Sequence, residues 1–306
     1  MATSVDMLPA DRSTVQRQID RREDMADTST TSQTAQDDTA HMLVPLTAEL
    51  HGRWRIAKGD FGHASDTPFV PVLLAEFAAV ARTYPIVFSA TDPSPMALLG
   101  LERANLFVSN GAWDAEQVAT GGPAARPSEA YVPAYIRRHP FALLRTPDDR
   151  HVLAIDPASA LLRVDGEEGE PMFVEGSPSP TTQSALAFCE AFRLQADSTI
   201  EFVKALEARE LLVERQAQLV LNNGRNLGLT GLRVVDERRF VKLDGPTIVE
   251  WHAKGWLAPI HFHLASLDRF GALARRQAFR DETETSGADA TRPGAGAPLA
   301  HIEPVA

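Results

Sequence analysis

The densest chemical grouping in the chain is Tyr131, Tyr135, Arg137 and Arg138, set within Tyr131-Val132-Pro133-Ala134-Tyr135-Ile136-Arg137-Arg138-His139-Pro140-Phe141. A guanidinium presents parallel N–H groups that match a carboxylate or a phosphate, so Arg137 and Arg138 could hold a small anion. On a short helix Tyr131 and Tyr135 are i, i+4 neighbours, and Arg138 lies three residues beyond Tyr135. The competing reading is a structural joint. Pro133 and Pro140 bracket the segment, the tyrosines pack, and the arginines pair with nearby acids. Exposed and half-buried arginines do that more often than they hold ligands. The four residues are still the best ligand-binding candidates the sequence offers.

Other groupings are weaker. If residues 261–263 form a strand, His261 and His263 share a face and could reach one metal ion, with His252 as a third ligand. Pro259, Phe262 and Leu264 favour packing there instead, and three separated histidines lack a ligand-spacing signature. The pair stands only as an alternative, and no metal is expected. Glu167, Glu168 and Glu170 form an acidic loop without the alternation of a calcium loop, which reads as a solvated turn. Cys189 falls on the apolar face of a predicted helix, where an inert core thiol is expected. Trp54, Trp113, Trp251 and Trp256 read as packing residues. There is no G-x-S-x-G, G-x-x-x-x-G-K-[ST], G-x-G-x-x-G or H-E-x-x-H string. That weakens hydrolase, nucleotide, dinucleotide and zincin readings. No catalytic residue and no cofactor are assigned.

These residues must be positioned by a mixed set of elements. Phe69 to Phe88 reads as strand, helix and strand, the helix ended by Tyr84-Pro85. Met96–Leu101 and Asn105–Val108 read as a hairpin around Glu102-Arg103. Residues 119–128 read as a Gly/Pro loop. Phe141–Arg145 and Val152–Ile155 read as paired strands turned by Pro147-Asp148-Asp149. Residues 161–176 read as a connection with an acidic tip. Ser179 is a predicted N-cap with Pro180 at the first helical position, opening a long helix over about 180–209. Asn222-Asn223-Gly224 predicts a hairpin with a type I′ turn, and Leu232–Val235 a further strand. Thr247 and Glu250 suggest a capping box for a short helix stopped by Gly255. A last helix is expected over about 264–277. With no internal repeat and strands in hairpins, the predicted class is α+β, mostly antiparallel sheet with scattered helices.

The 306 residues carry 41 acids and 30 bases, a formal charge of −11. Residues 1–41 hold 8 acids and 4 bases, and residues 281–306 hold 5 acids and 1 base. Neither stretch contains an aromatic residue; all 21 lie in 42–280. Both ends therefore read as disordered tails flanking one domain, with Met42 as the expected natural start. The domain is close to neutral. It lacks the basic stripe a nucleic-acid partner requires and any apolar run long enough to span a bilayer. A single cysteine excludes an internal disulfide and a Cys-rich zinc site, and it fits a cytoplasmic setting.

Read together, several stretches resemble the SapC family, named for a protein of a bacterial surface-array (S-layer) locus. The Tyr131–Phe141 string follows the family pattern except at His139, where tyrosine is usual. Phe69-Val70-Pro71-Val72, Glu76-Phe77 and Tyr84-Pro85-Ile86-Val87-Phe88 match a second block. Ala97–Leu101, Asn105–Val108, Gly169–Phe173, Gly231–Glu237 and Leu264–Leu267 continue the match over about residues 42–280. The family also carries tyrosine where His261 stands. The resemblance implies a soluble accessory or binding protein of a surface-layer or envelope-linked pathway; the partner is then a protein or, on the chemistry of Arg137 and Arg138, a small anionic ligand. The alternative it implies is an enzyme, or an enzyme partner, acting with a flavin-dependent halogenase-like oxidoreductase. It brings no catalytic residues with it.

Overall fold

The computed structural model describes residues 4–9, 43–113, 130–222 and 224–290. The loop expected at 119–128 lies outside them. The strands that carry the architecture are β1 (Ser4–Pro9), β2 (Val44–Pro45), β3 (Phe69–Pro71), β4 (Ile86–Ser89), β5 (Pro95–Leu98), β6 (Phe141–Arg145), β7 (His151–Ile155), β8 (Leu212–Val220) and β9 (Asn226–Val235). The helices are α1 (Ala134–Arg137), α2 (Pro180–Ala208), α3 (Gly245–Ala253), α4 (Leu257–Ser266) and α5 (Arg269–Ala290), with shorter turns between.

Six strands form the principal sheet in the order β1-β8-β9-β4-β5-β3, every neighbouring pair antiparallel. β4 reads Ile86-Val87-Phe88-Ser89, β-branched and aromatic, and its first three residues are fully buried, as a central strand requires. A smaller antiparallel sheet has the order β2-β7-β6. The class is α+β.

Two apolar cores follow. The larger gathers Phe77, Tyr84, Phe88, Leu219, Ile260 and Phe270 around the principal sheet. The smaller gathers Phe141, Leu153, Ile155, Leu162, Met172 and Phe173 beside β6 and β7. Helix α2 belongs to both. It runs for 29 residues, about 43 Å at 1.5 Å per residue. Cys189, in its N-terminal half, enters the smaller core. Phe202, Val203 and Leu206, in its C-terminal half, enter the larger one. Between Cys189 and Thr199 every position is half-buried or exposed. The start of α2 is as the sequence predicts: Ser179 Oγ accepts from Thr182 N–H at 3.2 Å and Pro180 opens the helix. The β6–β7 hairpin is also where it was expected.

Elsewhere the structure departs from the reading. Residues 96–108 are not a hairpin. Both edges of β5 are taken by β3 and β4. The chain returns past it with Leu106 N–H donating to Leu99 C=O, then enters a small separate hairpin of Val108–Ser109 with Ala112–Trp113. The β8–β9 turn has three residues, because Leu221 N–H donates to Arg225 C=O and Gly224 N–H to Leu221 C=O. Gly224, at φ +83°, occupies the left-handed position that closes such a loop. Leu232–Val235 continues β9 rather than starting a new strand. Within 161–176, Leu162–Arg163 and Glu170–Pro171 both pair with Arg55–Ile56. The cap of α3 is Asp244, whose Oδ1 accepts from Thr247 N–H at 2.9 Å, so Thr247 lies inside the helix. The expected last helix is two helices, α4 and α5, broken after Ser266. β1 and the end of α5 fall within the stretches read as tails, β1 pairing along β8 and α5 running on to Ala290.

Candidate functional site

Glu76 organises the Tyr131–Phe141 segment. It is 6% exposed at the end of a short turn. Its Oε1 accepts from Tyr131 Oη–H at 2.8 Å and from Ala134 N–H at 2.6 Å, the first backbone donor of α1. Its Oε2 accepts from Leu73 N–H at 3.0 Å. Tyr131 C=O in turn accepts from Tyr84 Oη–H at 2.8 Å, and Tyr84 Oη accepts from Trp113 Nε1–H at 3.1 Å. Arg137 joins the same network. Its Nη2 donates to Tyr131 Oη at 2.9 Å and its Nε to Val132 C=O at 3.0 Å, while its guanidinium lies 5.3 Å from the Phe188 ring centre. Burial and the carboxylate of Glu76 push the Tyr131 phenol up to about 12, so it stays protonated and donating. Tyr131 and Arg137 thus form a structural joint.

Tyr135 and Arg138 point elsewhere. The Arg138 guanidinium lies 4.3 Å from the centre of the Tyr135 ring and 4.9 Å from that of Phe192 on α2, in cation–π range of both. Among the described residues no carboxylate pairs with it. It lines a pocket of about 240 Å³ between α2 and the β6–β7 hairpin. Leu143 and Arg145 of β6, His151 of β7, and Cys189, Phe192, Arg193 and Ala196 of α2 complete the wall. Arg145 pairs with Asp149 at 2.5 Å and Arg193 with Asp197 at 3.2 Å, neither aspartate being part of the wall. Burial raises the pKa of the Cys189 thiol, with Arg138 acting weakly in the opposite sense, so the thiolate is disfavoured.

The structure divides the four candidate residues: Tyr131 and Arg137 join the Glu76 network, while Arg138 lines the pocket and Tyr135 backs it with its ring. Sequence reasoning missed Glu76 as the organiser. Its signal was an acid inside the apolar run Val72-Leu73-Leu74-Ala75-Glu76-Phe77-Ala78-Ala79-Val80, on the face that carries buried Leu73 and Val80. It also missed Arg145, His151 and Arg193. His139, the departure from the family string, bonds Ser159 Oγ through Nε2 at 2.8 Å and stacks on His63 at 3.9 Å.

The histidine alternative loses its geometric basis. His261 and His263 sit on helix α4, where residues two apart point to different sides. His263 is fully buried; its Nε2 accepts from Val235 N–H at 3.0 Å and its Nδ1 donates to Ile86 C=O at 2.9 Å. Both nitrogens are spent on backbone, and burial lowers its pKa to about 4. His261 is exposed against Phe240, and His252 is exposed on α3. Among the described residues no group of three or more His, Cys, Asp or Glu side chains is arranged to hold a metal ion. Glu168 pairs with Arg163 at the surface, 3.6 Å away. A larger hollow of about 480 Å³ lies against the C-terminal half of α2, but its one cation, Lys254, is already paired with Glu201 and Glu250. Among the described residues no helix is long and apolar enough to cross a membrane.

Comparison with known proteins gives one positive result. A family model described as SapC matches residues 46–273, most of the chain. No curated protein and no solved structure matches it significantly.

Proposed function

The chain belongs to the SapC family, and on that premise we propose that it is a binding or accessory protein of a surface-layer or envelope-linked pathway, recognising its target through Tyr135 and Arg138. The observation that carries this reading is the half-buried Arg138, held within 4.3 and 4.9 Å of two aromatic rings on a pocket wall and unpaired with any acid among the described residues. Contact with the rings restrains the guanidinium without using its N–H groups, which suits a recognition residue. The single thiol supports a reducing, cytoplasmic setting. Nothing at the pocket favours the enzymatic alternative: its thiol, Cys189, is 4% exposed with a raised pKa.

Affinity capture from the native host, comparing the wild-type chain with Arg138→Gln, tests the reading. A partner or co-purifying small molecule retained by wild type and lost from the variant is expected. Identical captures would overturn the role given to Arg138. Recovery of a flavin-dependent oxidoreductase whose turnover requires this chain would move the assignment to the alternative.

A further inference from the structure

We infer that the pocket between α2 and the β6–β7 hairpin is a binding site for a small organic carboxylate, its charge held by Arg138 and its carbon body laid on Leu143, Phe192 and Ala196. The inference rests on the reading of Arg138 as a recognition residue and deepens it by naming the ligand class.

Three elements aim cationic groups at one small space. Arg145 and His151 are directly opposed across the β6–β7 ladder, so they share a face. Leu143, two residues before Arg145, shares it too. Cys189, Phe192, Arg193 and Ala196 recur at i+3 and i+4 and form one stripe of α2. Arg138, at the end of α1, closes the gap. Three arginines border about 240 Å³, and among the described residues Arg145 and Arg193 have acids, both outside the wall, while Arg138 has none. One positive charge is left for a ligand to balance, and a monoanion balances it.

The shape of the charge selects the anion. The Tyr135 and Phe192 rings crowd the Arg138 guanidinium at 4.3 and 4.9 Å, so the N–H groups turned away from the rings are those that meet a ligand. Those groups form two parallel bonds with a carboxylate. Half of the wall is apolar, namely Leu143, Cys189, Phe192 and Ala196. An inorganic phosphate would leave that half wet, whereas a carbon chain or ring would cover it. The space is below the range of about 300–1,000 Å³ usual for drug-sized ligands, which limits the carbon body to a few atoms or one ring.

The probes are hexanoate and benzoate, titrated by calorimetry into the full-length protein at low salt. Hexanamide and inorganic phosphate serve as controls. At least one carboxylate is expected to bind with a dissociation constant on the order of 1 mM or tighter, with hexanamide and phosphate at least about tenfold weaker. Arg138→Gln is expected to weaken the carboxylate by about tenfold or more. Ala196→Leu keeps all three arginines, fills the apolar half and suits a helix, and it is expected to do the same. Should Arg138→Gln fail to fold by circular dichroism, Ala196→Leu alone decides. Three results would overturn the inference: no carboxylate binding, binding of hexanamide or phosphate as tight as that of the carboxylates, or unchanged affinity in the folded variants. The two readings fail separately. Loss of the host partner in Arg138→Gln without any carboxylate binding removes this inference and keeps the accessory role. Carboxylate binding with an unchanged host capture does the reverse.

Discussion

His263 shows how one buried side chain joins distant parts of the sequence. Its two ring nitrogens tie Val235, at the end of β9, to Ile86, at the start of β4, through helix α4. The folded ring refuses a proton until about pH 4, whereas the unfolded ring accepts one near 6.5. Protons therefore bind the unfolded state preferentially below about 6.5. Stability is full above that value and falls as pH drops toward 4, by on the order of 3 kcal/mol in all. Urea midpoints measured between pH 7 and 5, where most carboxylates stay ionised, are expected to decline in the wild type and to decline less steeply in His263→Ala, where His63, whose pKa burial also lowers, still acts. At neutral pH that variant is expected to lose about 2–4 kcal/mol, since it strands a buried N–H and a buried C=O. Glu76 offers a matching case. Glu76→Gln turns one accepting oxygen into a donor facing N–H or O–H groups, and chemical denaturation is expected to show a loss of about 1–3 kcal/mol. Neither role was legible beforehand. A histidine and a glutamate in apolar text signal burial, but their partners lie far away in sequence: Ala134 for Glu76, Ile86 for His263.

At the scale of elements, the sequence was most legible where a signal was local. Ser179-Pro180 marked the start of α2, and Pro147-Asp148-Asp149 marked the β6–β7 turn. It misled where two local signals competed. Asp244 and Thr247 both have N-cap chemistry, and Asp244 is the cap because Pro246, at the start of the helix, needs no N–H partner there. Asp244→Ala is expected to lower the melting free energy by about 0.5–2 kcal/mol. Glu250→Ala, the other half of the expected capping box, removes only a surface pair with Lys254 and is expected to change stability by about 0.5 kcal/mol or less. Thermal unfolding of the two variants side by side separates the two capping schemes. The strand reading of His261–His263 failed for a related reason. Alternating His-Phe-His text imitates a strand, while the longer run Ile260, His263, Ser266 has the helical period that buries them.

Across the whole molecule, the class was legible and the division of the core was not. Antiparallel pairing follows from short strands and close turns, which the text displays. Which apolar residues meet is a matter of long-range topology, and only the folded chain shows that α2 serves two cores. The smaller core has few buried residues and cannot stand alone. Met172, fully buried there, is the sensitive position. Met172→Ala is expected to cost about 2–5 kcal/mol, and amide exchange should speed up first in β6 and β7 while β8 and β9 keep their protection.

The lightly packed centre of α2 has a consequence of its own. Between Cys189 and Thr199 no side chain is buried, so the backbone bonds there are expected to open more readily than those held by either core. Amide exchange read residue by residue along α2 should trace two peaks of protection with a saddle between them. A ligand in the pocket between α2 and the β6–β7 hairpin would touch Phe192, Arg193 and Ala196, which lie in that stretch. Filling this pocket should raise the saddle and leave the peaks alone, so the helix would register a guest as a change in its slackest stretch.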